Sequence, residues 1–138
     1  MSGEISPLVA SLNVAVGGAA GSVLRYHAGR AAHSLAPAGS AFPWGTLAVN
    51  IAGSLLMGLL IGWLARGTMT DTGTESTRLL LGVGLLGGFT TFSAFSAELV
   101  TMLHHGQIGM AGAYVAVSLV AGMAAVLAGL VTAQSIAA

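Results

Sequence analysis

The chain has 138 residues, no cysteine and no lysine; its formal net charge is zero, with 55% hydrophobic and 6% charged residues. Such a composition cannot clothe a soluble domain of this size in charge. The missing cysteines exclude disulfides and thiolate metal sites, and the missing basic excess argues against nucleic acid as a partner.

Met1–Leu8 carries Glu4 and no basic residue, so no secretory leader is expected. The first predicted membrane helix covers 8–27, the second 44–64, the third 79–103 and the fourth 108–133. Each reaches the roughly 20 residues that cross ~30 Å of hydrocarbon. The expectation is an all-α membrane protein, with residues 1–138 as one integral membrane domain. Trp44 and Trp63 bracket the second span as interfacial indoles do. Ala28–Pro43 reads as a connection rich in Gly and Pro, Arg66–Arg78 as a polar loop, and His104–Gln107 as a tight turn.

Small residues recur along the helices. Gly17 and Gly21 on the first span, Ser54, Gly58 and Gly62 on the second, and Gly84 and Gly88 on the third form faces on which backbones can approach closely. Packing is the expected role of most of them. Arg25 and Arg30 lie toward one side of the membrane, Arg66 and Arg78 toward the other. That near balance leaves the positive-inside rule undecided: a single orientation, or insertion both ways with antiparallel pairing, are both open.

Polar groups inside the spans point to chemistry. Thr46, Asn50 and Ser54 share a helix face at i, i+4, i+8, and in hydrocarbon that face needs a partner or water. Glu98 is the only acid inside any span. It reads as a structural or gating partner, near the interface or beside Arg25, because a bare carboxylate would repel an anion. Tyr114 and Ser118 share a face of the fourth span, followed there by Gly122 and Val126. On the third span, Gly87-Gly88 followed by Thr90-Thr91 is where a helix can break, with threonine hydroxyls replacing lost backbone bonds. A break frees carbonyl oxygens, which suit a hard cation such as sodium. Phe92 and Phe95 follow at i, i+3, and ring edges carry partial positive charge that can meet an anion.

Three ordered blocks carry a family resemblance. They are Gly17-Gly18-x-x-Gly21-x-x-x-Arg25-Tyr26, then Gly45-Thr46-Leu47-x-Val49-Asn50-x-x-Gly53-Ser54, then Gly87-Gly88-Phe89-Thr90-Thr91-Phe92-Ser93-x-Phe95-Ser96-x-Glu98. Together they resemble the CrcB/Fluc fluoride channels, over all four spans. The resemblance implies a dual-topology antiparallel homodimer with two fluoride pores, passive fluoride export that protects the cell, and a prokaryotic plasma membrane. It implies a structural sodium ion at the dimer centre, held by the backbone carbonyls of Gly87 and Thr90 in the broken third helix. It maps pore roles onto Asn50, Phe92, Phe95, Tyr114 and Ser118, and Thr46 joins them on the Asn50 face. Arg25, Thr91 and Glu98 are expected to be structural or gating residues. Gly122 and Val126 stand where the family often has further hydroxyls, so the polar track is expected to be short.

Three rivals make different demands. A four-helix multidrug exporter would want an acid in the first span, and none lies between Leu8 and Arg25. A scaffold would use the polar stripes only as glue. An intramembrane hydrolase would need a deep base, and His104 lies in the turn.

Overall fold

The computed structural model describes residues 4–136; Met1–Gly3, which bear on the leader reading, lie outside the described residues. The described chain is all helical. Helix α1 spans Pro7–Leu35 and α2 Trp44–Leu64. A polar helix, α3, spans Asp71–Thr77 and runs directly into a π-helical segment, Arg78–Leu86. Then come the short α4 (Gly87–Phe89), α5 (Phe92–His104) and α6 (Ile108–Ser135). Among the described residues, four stretches are long and apolar enough to cross a membrane: Pro7–Leu35, Trp44–Leu64, Asp71–His104 and Ile108–Ser135.

Two connections differ from expectation. Helix α1 does not stop near His27 but runs on to Leu35, since no proline intervenes before Pro37 and Ala, His and Leu all tolerate helix. The Ser6 hydroxyl caps its start by accepting from Val9 N at 3.4 Å, with Pro7 in the first turn. Within the expected polar loop, Asp71–Thr77 is helical. Thr70 caps it by accepting from Gly73 N at 3.2 Å. Asp71 stands in the first turn, where the helix dipole favours an acid. Glu75 and Arg78 then form an i, i+3 ion pair at 2.8 Å. The turn after α5 is as expected, with Gly106 at φ +72° closing it.

Glycine faces bring the helices together. A Cβ on Gly17 would strike the Leu80 carbonyl, and one on Gly21 the Leu85 carbonyl, so α1 lies directly on the π segment and α4. Gly84 meets Gly17 from the other side, and Gly88 meets Gly18. Likewise Gly58 of α2 abuts the Val126 carbonyl of α6, and Gly129 abuts the Leu55 carbonyl. Backbone atoms cannot swing aside as side chains do, so these contacts set the helix spacing. Beside them sits a small core of Leu47, Met102, Ala111 and Tyr114, flanked by Phe42, Ile51, Phe95, Leu99 and Met110. Elsewhere large apolar side chains face outward, among them Val16, Val23, Val120 and Met123. That suits lipid as the surrounding solvent.

Candidate functional site

The centre of the site is the junction between α4 and α5. Thr90 and Thr91 both take extended backbone, at φ −85°, ψ 161° and φ −149°, ψ 124°. In an unbroken helix the N–H of Thr91 would bond to the Gly87 carbonyl. Here it donates instead to Asn50 Oδ1 at 2.8 Å. Asn50 Nδ2 in turn donates to the Thr91 carbonyl at 3.0 Å. One carboxamide from α2 thus splints both backbone groups of Thr91. The threonine hydroxyls stitch the rest, as their short side chains allow. Thr90 Oγ1 donates back to the Leu86 carbonyl at 2.9 Å, and Thr91 Oγ1 accepts from Ala94 N at 3.2 Å to cap α5. Gly53 of α2 presents no side chain here, and Thr90 Cγ2 and the Phe89 ring fill that space.

Beside the junction lies a cavity of about 330 Å³. Asn50, Ser54, Phe92, Phe95 and Ser118 line it, with Gly122 and Val126 at the far end of the α6 face. No ionisable side chain is among its lining residues. The amide nitrogen of Asn50 carries two hydrogens, and the Thr91 carbonyl takes one. Ser118 Oγ is buried and has no partner among the described residues. Phe92 and Phe95 lie 5.9 Å apart at 37°. Phe95 is half-buried, whereas Phe92 is 79% exposed on the single chain.

Thr46 and Tyr114 are placed differently from the other expected pore residues. Both turn their hydroxyls onto Glu98: Thr46 donates to Oε1 at 2.6 Å and Tyr114 to Oε2 at 2.8 Å. Glu98 therefore pairs with two alcohols and not with Arg25. Both oxygens of the carboxyl group are thus occupied by hydroxyl donors. Tyr114 is fully buried, packed by Phe95 at 4.9 Å and by Phe42 edge-on at 5.4 Å. Phe95 thus touches both the Glu98 cluster, through Tyr114, and the uncharged cavity.

Arg25 donates to the Thr90 carbonyl at 3.2 Å, tying α1 to the junction. This bears on the expected cation ligands. Gly87 fits, because its carbonyl has lost the i+4 amide to Asn50. The Thr90 carbonyl already accepts from a guanidinium and keeps one further lone pair. The oxygens this chain offers at the junction are thus the freed Gly87 carbonyl and a Thr90 carbonyl shared with Arg25.

A wider cavity of about 760 Å³ opens on the other side of Thr91, lined by Arg25, His33, Thr46, Ser93 and Glu98 among others. His33 and Ser93 were not among the expected site residues: Ser93 stood only within the third motif block, and His33 only in the connection after the first span. Nor was Asn13, a carboxamide one turn before Gly17 whose Nδ2 is buried and lacks a partner among the described residues.

The sequence model of the family described as CrcB-like protein, Camphor Resistance (CrcB), matches residues 12–130. A protein of Novosphingobium aromaticivorans named fluoride-specific ion channel FluC is 54% identical over 123 residues, covering 89% of this chain and 94% of the relative. Proteins of the same name from Erythrobacter litoralis and Sphingopyxis alaskensis are 50% and 53% identical, covering 91% and 86% of this chain and 93% and 90% of those relatives.

Proposed function

The chain belongs to the CrcB family, and on that premise we propose that it is a fluoride-selective channel, passing the ion down its gradient and out of the cell. The observation that carries this reading is the uncharged cavity: Asn50 and Ser118 supply hydrogen-bond donors to the same space that Phe92 and Phe95 wall with rings. Fluoride is small and holds its water tightly, so entry requires donors that replace that water one after another. An amide N–H, an alcohol O–H and ring edges do this without a fixed cation that would hold the ion in place. Ser118 Oγ, buried and without a partner among the described residues, is a donor free for the ion. Gly122 and Val126 end the hydroxyl row, so the polar stretch on α6 is short.

Thr46 and Tyr114 act one step back from this cavity. Their hydroxyl protons go to Glu98, so they reach an anion only if the carboxylate releases one of them. That gives Glu98 a gating role, since it lines the wider cavity and holds both hydroxyls.

The working unit in this proposal is an antiparallel homodimer in the plasma membrane, each chain one integral membrane domain, with two pores. The outward face of Phe92 supports a second chain, because the ring lines the cavity and is left open on its other side. The interruption at Thr90-Thr91 divides the third span into two half-helices. Gly87, and Thr90 beside Arg25, would hold a structural sodium ion between two copies, supplying fixed positive charge where the half-helices meet. No reaction chemistry is assigned, and its relatives are named as channels.

Efflux from liposomes tests the reading. Vesicles loaded with fluoride should empty rapidly once the protein is present, whereas chloride-loaded vesicles should hold their contents. Equal loss of bromide and fluoride, or loss of neither, overturns it.

A further inference from the structure

Helices α2 and α6 run in the same direction, because their close approaches climb together: Ser54 stands opposite Gly122, Gly58 opposite Val126 and Leu130, and Gly62 opposite Leu130 and Ala133. Residues four apart on each helix therefore pair off as rungs across the seam. One turn before Ser54 and Gly122 stand Asn50 and Ser118, and one turn beyond stand Gly58 and Val126. The first two rungs both line the cavity of about 330 Å³. At the third, Gly58 lies against the Val126 carbonyl and the two helices close on each other.

The three polar side chains on this α2 face have different partners. Thr46 gives its proton to Glu98 at 2.6 Å, and Asn50 is bonded twice to Thr91. Ser54 Oγ makes no hydrogen bond among the described residues. A helical serine often returns its hydroxyl to the carbonyl one turn back, as Ser96 does to Phe92 at 2.9 Å. Ser54 does not, so its proton is unclaimed. Across the rung Gly122 has no side chain, and a Cβ there would stop 3.7 Å from Ser54 Oγ. The second rung is thus bare on the α6 side and carries one hydroxyl on the α2 side. The other α2 and α6 side chains that line the cavity beside Asn50 and Ser118 are Met57, Leu119 and Val126, all apolar.

We propose that Ser54 is a further donor of the anion route, receiving the ion from Asn50 and Ser118 and supplying from α2 the hydroxyl that α6 lacks at Gly122. The proposal rests on the channel reading above. An anion stripped of water needs a donor within reach at each step, since burying it among apolar groups alone is costly. Successive rungs are one helical turn apart, about 5.4 Å, so Ser54 carries the donor row one step past Ser118. The route needs a hydroxyl at this level, and either helix can bear it, because Gly122 leaves space for one on the opposite wall.

The test moves that hydroxyl across the rung. Fluoride efflux from liposomes is read for wild type, Ser54→Ala, Ser54→Thr and the pairs Ser54→Ala with Gly122→Ser and Ser54→Ala with Gly122→Ala, and melting in detergent is measured on each. Ser54→Ala should slow efflux about tenfold, the loss of one hydrogen bond to an ion, at an unchanged melting temperature. Adding Gly122→Ser should recover most of the rate. Adding Gly122→Ala, which restores bulk without a hydroxyl, should not. Ser54→Thr keeps the hydroxyl and should run faster than Ser54→Ala. Wild-type efflux from Ser54→Ala, or equal recovery with alanine and serine at 122, overturns the proposal and leaves the channel reading standing. So does failure of both hydroxyl-bearing variants to exceed Ser54→Ala, or a melting temperature that falls in step with the flux. Absence of fluoride flux from wild-type protein overturns both.

Discussion

Removing the carboxamide of Asn50 probes the junction most directly. In the wild type it accepts the Thr91 N–H at 2.8 Å and donates to the Thr91 carbonyl at 3.0 Å. Asn50→Ala strands both backbone groups at membrane depth, where little water can replace the lost partner. Leaving one such group unpaired costs about 1–3 kcal/mol. Interhelical hydrogen bonds in membranes average nearer ~0.6 kcal/mol, because the chain finds substitutes. Asn50 and Thr91 are only half-buried, which places the loss toward the lower end, at about 2 kcal/mol for the pair. That corresponds to roughly a thirtyfold fall in the population of the ordered junction. Fluoride efflux from liposomes should then drop by about tenfold or more, and the melting temperature in detergent should fall with it. Asn50→Asp keeps an acceptor for the Thr91 N–H but sets a carboxylate oxygen against the Thr91 carbonyl and a negative charge in the anion cavity. Its flux should be lower than that of the alanine variant. If Asn50→Ala matches wild type in both efflux and melting, the side chain is neither splint nor wall, and the reasoning fails.

Phe92→Ile should slow fluoride efflux with little change in monomer stability, because the ring lines the cavity yet is 79% exposed on the single chain; unchanged efflux would remove Phe92 from the route. Glu98→Gln replaces an acceptor of two hydroxyl donors with a group that has only one acceptor oxygen, so the hydroxyl of Thr46 or Tyr114 that faces the amide nitrogen must turn from donor to acceptor, at a cost in geometry. A double-mutant cycle of Glu98→Gln with Tyr114→Phe, read by thermal melting, should give a coupling of about 1 kcal/mol, and simple additivity would mean the contact is idle. Gly58→Val drives a side chain into the Val126 carbonyl and the Leu130 amide. Overpacking against backbone should cost about 3 kcal/mol or more, visible as loss of monodisperse protein, while Gly109→Ala, which meets nothing within 4 Å, should behave as wild type.

Much of this protein is legible along the chain. Long stretches nearly free of Asp, Glu, Lys and Arg, each about long enough to cross a bilayer, mark four spans, because only a helix satisfies its own backbone in hydrocarbon. The glycine faces on 17/21, 58/62 and 84/88 follow from local spacing, and all of them pack between helices of the same chain. Gly87-Gly88 and Thr90-Thr91 read as a weak point for a helix, and Thr90 and Thr91 take extended backbone. The polar segment before Arg78 was harder to read, since a cap at Thr70 and an ion pair at Glu75 and Arg78 stabilise a helix of poor intrinsic propensity.

Tertiary structure alone decided which polar group meets which. Asn50 and Thr91 are 41 residues apart, Thr46 and Glu98 52, and Arg25 and Thr90 65. Nothing in helical periodicity assigns Glu98 to two alcohols in preference to Arg25, or Arg25 to a carbonyl. Those choices depend on how closely α1 can approach the π segment and α2 can approach α6. Periodicity places a residue on a face of its own helix; only the backbone contacts at Gly17, Gly21, Gly58 and Gly129 bring particular faces into register.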